Sequence, residues 1–199
     1  MSSAAPPPLP KSNLGKAPFF GRIGITLVVV LALFLISLRP LGLIRPFSIP
    51  TGAMTPAASP GDHVMMERLS YLFRQPNRGE IVVFKTEGIP GLSREQIHFK
   101  RVAGLPGDRL RIEGGSLCTN DQLVALSNAA GFISYHLPKN LAGMPGTTTL
   151  TVAPGQYFVL GDNSANSYDS RFWGCVPAQN IMGKVAICYW PPGRTGAVN

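Results

Sequence analysis

The chain has 199 residues, 45% of them hydrophobic, and a net charge of +8; that length is enough for one domain with a buried core plus whatever its ends add. Five of its 18 basic residues, Lys11, Lys16, Arg22, Arg39 and Arg45, flank one apolar run, and the rest nearly balance the 10 acidic residues without a basic stretch interleaved with aromatics, which excludes nucleic acid as a partner. His63, His98, His136 and Cys118, Cys175, Cys188 are scattered without metal-ligand spacing, so no metal, nucleotide or other cofactor is expected.

In chain order, residues 1–20 are small, proline-rich and without acids, and predict a disordered cytoplasmic tail. Residues 21–44 predict a single transmembrane anchor. Its uncharged core, Ile23 to Leu38, is closed by Arg39-Pro40 and extended at the interface by Ala17-Pro18-Phe19-Phe20. The run shows no polar face, as a packed core helix would. No small-x-small site follows it, as in a cleaved signal. Three basic residues before the run and two after it orient the N-terminus to the cytoplasm. The rest of the chain then lies on the outer face, and the basic flanks meet anionic lipid head groups.

Beyond residue 60, short β-type runs alternate with turns: His63–Met66, Ile81–Phe84, Gln96–Val102, Arg109–Ile112, Gln156–Leu160 and Gly183–Trp190. This spacing predicts a mostly β, antiparallel domain over residues 46–192, sandwich- or barrel-like. Residues 116–150 read as a looser insertion or cap, and 193–199 as a tail. The anchor is the one helix expected. Cys175 and Cys188 either pair outside the cytoplasm or are small buried hydrophobes.

Three segments carry chemistry. The first is Ile49-Pro50-Thr51-Gly52-Ala53-Met54-Thr55-Pro56, ending at Gly61-Asp62; the second is Phe99-Lys100-Arg101-Val102-Ala103-Gly104-Leu105-Pro106-Gly107-Asp108. The third runs from Gly161-Asp162-Asn163-Ser164 through Ser167-Tyr168-Asp169-Ser170-Arg171 to Trp173-Gly174. In this order, behind an apolar anchor, they resemble bacterial type I signal peptidases over residues 20–190. The resemblance implies a signal-peptidase-like antiparallel β fold and a serine–lysine dyad that removes N-terminal leader peptides from exported preproteins. It implies a single-pass protein of the inner membrane with its catalytic domain on the periplasmic face. The family's nucleophile position falls on Ala53 and its general base on Lys100. Its oxyanion hydroxyl falls on Thr51, the hydroxyl that orients the lysine on Ser167, and a supporting charged pair on Asp169 and Arg171.

Such a dyad needs a lysine stripped of its proton, so that its pKa of ~10.4 must fall by desolvation. Phe99 and Val102 are the expected apolar wall. Arg101, on the opposite face of the strand, is expected to keep its charge in solvent. Taken singly, Lys100 reads as a solvated strand residue, Ser167 as a turn serine and Thr51 as an ordinary β residue. The three-segment match reverses that for Lys100, Ser167 and Asp169; His63, Cys118 and Tyr168 keep the structural reading.

The chain departs from the family's pattern at Ala53, where a methyl cannot attack a carbonyl. Ala57-Ala58 and Ser164-Ala165 also stand where Thr-Leu and Arg-Asp are usual. Four readings follow: Ala53 replaces an original serine; another hydroxyl attacks, Thr51 before Ser59; the domain binds leader peptides without cutting them; or it is a membrane-tethered scaffold. The expected ligand is an extended leader peptide with small residues beside the cut, docked by strand addition. Exposed apolar residues around Met54, Leu69, Tyr71-Leu72-Phe73 and Trp173 are expected to hold the domain to lipid.

Overall fold

A computed structural model describes residues 19–37, 42–136 and 149–198; the expected tail before Phe19 lies outside them. The chain divides into two units, 1–38 and 39–199. The first contains helix α1 (Phe19–Ser37), in which Ile25, Leu27, Leu31, Leu33, Phe34 and Ile36 stand exposed. Among the described residues no helix is long and apolar enough to cross a membrane, so the anchor expected over 21–44 is not shown. The end of that expected span overlaps the first strand, which begins at Ile44.

All strand pairs of the second unit are antiparallel. Its strands are β1 (Ile44–Ser48), β2 (His63–Glu67), β3 (Ile81–Lys85), β4 (Ile97–Gly104), β5 (Arg109–Glu113), β6 (Ser116–Thr119) and β7 (Gln122–Val124). They continue as β8 (Ser127–Asn128), β9 (Gly131–Phe132), β10 (Leu150–Thr151), β11 (Gln156–Leu160), β12 (Val176–Pro177), β13 (Ile181–Trp190) and β14 (Gly196–Ala197). The main sheet has the order β1-β2-β13-β3-β4-β11-β12, with β14 also on β13. A second sheet runs β10-β5-β6-β7, and β8 and β9 form a hairpin. Each run expected from the sequence corresponds to one of the longer strands.

Local chemistry explains the order. In β3 the run Ile81-Val82-Val83-Phe84 is buried on both faces, which suits a strand between β13 and β4 with packing above and below. Pro46 lacks a donor and sits on β1, the edge of the sheet, where none is required. Gly104 ends β4 where the second sheet crosses it: a Cβ there would lie 2.3 Å from Leu110 Cδ1 and 3.0 Å from Phe158 Cβ. Three buried clusters result. One joins Ile49 and Met54 to Val64, Met66 and Phe99. A second joins Val82, Phe84 and Val102 to Tyr157 and Trp173. The third joins Leu110 and Leu117 to Tyr135 and Phe158.

Four expectations change. Residues 116–136 are not loose: they supply strands β6 to β9 and put Leu117, Leu126 and Tyr135 into the third cluster; residues 137–148 lie outside the described residues. The segment after residue 192 is not a free tail, since β14 pairs with β13. Besides the one helix expected, there is a one-turn helix, α2 (Ser170–Trp173). Met54 and Trp173, expected at the surface, are 1% and 7% exposed, while Leu72 and Phe73 do stand out at 55% and 88%.

Candidate active site

The segment 49–62 is a closed loop. Ile49 and Asp62 meet through the Ile49 amide to the Asp62 carbonyl, 2.8 Å, and the Gly61 amide to the Ile49 carbonyl, 3.0 Å. Gly61 takes φ +86°, a left-handed turn that favours glycine. Within the loop, Thr51 is extended (φ −135°, ψ 159°) and Gly52–Met54 form a single 3-10 turn. The buried Met54 side chain pins this turn to the first cluster, a burial that contributes about 1.5–3 kcal/mol. Ala53 is therefore held in place by the residue after it and presents its methyl to a groove.

A second loop grips the same turn. The Asn163 amide donates to the Ala53 carbonyl at 3.0 Å and its side-chain amide to the Gly52 carbonyl at 3.2 Å. Gly161 makes that approach possible: a Cβ there would lie 2.1 Å from Ser167 Oγ and 2.6 Å from the Ala53 carbonyl oxygen. Ser167 and the Ala53 backbone are thus neighbours across a glycine. Gly161 and Asn163 belong to the third segment, but the sequence assigns neither of them a role of its own in the site.

Behind this loop stands a buried ion pair. Arg171 Nε donates to Asp169 Oδ1 at 2.8 Å and Nη2 to Oδ2 at 2.9 Å, with both side chains essentially inaccessible. Asp169 Oδ2 also accepts from the Gly161 amide at 3.0 Å, so the pair fixes the glycine. The remaining Arg171 donors reach the Ser164 and His136 carbonyls and Ser164 Oγ. Asp169 and Arg171 lie behind the groove rather than in it.

Lys100 enters from β4. The side chain is buried, and it makes no hydrogen bond or ion pair to the described residues. Burial pushes its pKa below the ordinary 10.5; Arg171 adds to that, while Asp169 and Asp162 oppose it. Its neighbour Arg101 corrects the expectation of a solvated charge. Arg101 is 3% exposed and forks onto Asp162, Nε to Oδ1 at 2.8 Å and Nη2 to Oδ2 at 2.7 Å, with Nη1 to the Gly79 carbonyl at 2.7 Å. Alternation along the strand does separate the two cations, but the far face is covered by the third segment. His98, two residues from Lys100, is a groove residue that sequence reading missed. Burial first, and Lys100 second, lower its pKa to about 4, so its ring is neutral near pH 7.

The groove holds about 740 Å³ and is lined by Thr51, Ala53, His98, Phe99, Lys100 and Ser167, among others. The structure therefore brings together the four residues expected to do chemistry. Beside it, β4 pairs with β3 from Ile97 to Arg101, but β11 pairs with β4 only from Arg101 to Gly104. Ile97–Lys100 consequently have no strand neighbour on the β11 side among the described residues. Cys118, Cys175 and Cys188 are all free thiols, so Cys175 and Cys188 are not paired. Among the described residues no His, Cys, Asp and Glu cluster could hold a metal ion.

An antiparallel β unit whose groove gathers an unpaired lysine, two hydroxyls and a strand edge defines a peptide-handling class. Residues 22–190 match the family described as signal peptidase, peptidase S26. The chain is 36% identical over 151 residues to signal peptidase I of Leptolyngbya laminosa, covering 74% of this chain and 70% of that one. It is 35% identical over 149 residues to a Synechocystis protein described as "Probable signal peptidase I-2", covering 74% of this chain and 64% of the relative. A crystal structure of a signal peptidase I from Enterococcus faecalis V583 overlaps 56% of this chain and 97% of its own, at 29% identity and a TM-score of 0.43. The chain belongs to the signal peptidase family, a family of serine endopeptidases. It spans slightly less than two thirds of the Synechocystis relative's length.

Proposed function

We propose that this protein is a membrane-anchored leader-peptide processing protein whose groove at Ala53 receives the N-terminal leaders of exported preproteins. The observation that carries this is Lys100: a lysine buried in a peptide-sized groove with no anion of its own, its pKa lowered by burial. A surface lysine gains nothing from such a place, whereas a general base must be neutral to accept a proton. In this reading Thr51 helps bind a developing oxyanion and Ser167 orients Lys100; both line the groove beside Ala53. The leader docks as an extended strand along Ile97–Lys100, where β4 lacks a neighbour, and its small side chains enter the groove. The apolar run over residues 21–44 and its basic flanks anchor the chain as a single pass in the inner membrane, with the β unit on the outer face.

The test is a titration of the purified full chain in detergent with leader peptides carrying Ala-x-Ala, or a bulky residue at either alanine. The small-residue peptide should bind, and each bulky replacement should cost about 1–3 kcal/mol by overpacking. Equal affinity for all peptides, or none, would overturn the groove assignment. In the Ala53→Ser protein, cleavage should appear or rise strongly, because the hydroxyl permits a covalent step. The Ala53 methyl itself favours a second reading, in which the protein binds leaders and does not cut them; a complex that persists unchanged is its signature.

A further inference from the structure

Ser167 Oγ and His98 Nδ1, both on residues that line the groove, are buried and make no hydrogen bond, and Lys100, 5% exposed, forms no hydrogen bond or ion pair among the described residues. The other cations around them are matched: Arg101 by Asp162 and Arg171 by Asp169. An orphaned buried polar group is costly, so native proteins keep few without a reason such as a bound water or catalysis. All three residues line a groove of about 740 Å³, ample room for a water that needs two to four polar partners.

The protein's own hydroxyls are poor attackers here. Ser167 Oγ is buried against Gly161 and is not the position that the turn at Ala53 presents. Ser59 does not line the groove, and its amide is committed to Asp62. Thr51 lies exposed on the extended segment before the turn, two residues from the position that the turn presents. Resting on the reading above that leaders occupy this groove, we propose that a water held by Lys100 Nζ and Ser167 Oγ attacks the leader-peptide carbonyl directly, with no acyl-enzyme. Neutral Lys100 takes one proton from the water as the new O–C bond forms. The C–N bond of the tetrahedral intermediate then breaks, and the Lys100 ammonium returns that proton to the leaving amine. One water is consumed, Lys100 ends neutral, and Ser167 keeps its proton throughout. The depressed Lys100 pKa supports the first of these transfers.

The experiment incubates the full chain in detergent micelles with an Ala-x-Ala leader peptide, follows products, and acid-quenches samples for intact-protein mass. Lys100→Met and Ser167→Ala run in parallel, and the Lys100→Met preparation also reports any host peptidase carried through purification. The parent should cut slowly at the bond after Ala-x-Ala, with no acyl adduct on the protein. Lys100→Met should lower the rate about 100-fold or more, the usual weight of a general base. Ser167→Ala should lower kcat about tenfold with KM unchanged, a split that a misfolded protein would not give. An acyl adduct on Thr51 or any other hydroxyl would overturn the proposal. So would a peptide that binds and stays uncut, although leader binding would then stand. A peptide neither bound nor cut would overturn the leader-peptide reading, and this proposal with it.

Discussion

Lys100 and Arg101 are adjacent cations on one strand, and the protein treats them in opposite ways. Arg101 faces the third segment and is matched atom for atom by Asp162, which also accepts from Asn128. Lys100 faces the groove, equally buried and unmatched. Burial of a charge is costly unless it is paired and hydrogen-bonded; a fork of two hydrogen bonds offsets that cost for Arg101, and for Lys100 the proton is given up more easily instead. One face of β4 is therefore held by a paired charge, and the other presents an unpaired lysine to the groove.

The paired side should break first and most severely. Arg171→Met leaves the Asp169 carboxylate buried without its guanidinium, which should destabilise by about 3–5 kcal/mol in thermal or denaturant unfolding. Replacing Arg101 by Met should do the same to Asp162. A loss below 1 kcal/mol in either case would mean that these pairs do not hold the site loop. Next in size, Gly161→Ala pushes a methyl against Ser167 Oγ and the Ala53 carbonyl; about 1–3 kcal/mol of overpacking is expected, together with weaker leader binding as the two loops separate. Unchanged binding would show that the contact across Gly161 does not set the groove.

The smallest effect concerns the C-terminal segment. Arg194 Nε donates to both Asp62 oxygens at 2.9 Å and Nη2 to the Pro56 carbonyl at 2.9 Å, so the end of the chain straps the loop that carries Ala53. Because Arg194 is more than a third exposed, Arg194→Ala should cost at most about 1 kcal/mol of stability. Its clearer signature is faster amide exchange at Gly61 and Ala58, which close the loop. Exchange no faster than in the parent would leave the strap without effect on the site.

Much of this was legible in the chain because the three segments are local patterns: each residue expected at the groove is there, and the longer strands follow their alternating runs. What was not legible depends on residues far apart in sequence. Arg101 looks solvated until Asp162, sixty-one residues on, covers it. Met54 and Trp173 look exposed until Phe99 and Phe84 pack against them. Residues 116–136 look loose because their strands are two to four residues long and gain order only by pairing with β5 and each other. The strap from Arg194 crosses 132 residues and leaves no local mark.

The central claim is that Lys100 is a buried base without a counter-ion, and its titration tests that most directly. With its pKa lowered, the unfolded chain holds a proton that the folded chain releases; Lys100 therefore makes stability rise with pH between the folded pKa and 10.5, and Lys100→Met should flatten that rise. The measurement is NMR of the labelled Lys100 side chain across pH, assigned by its loss in Lys100→Met. The account predicts a midpoint clearly below 10.5 in the free protein. A midpoint at or above 10.5 would show that Lys100 remains an ordinary ammonium at working pH, and would contradict its role as the base.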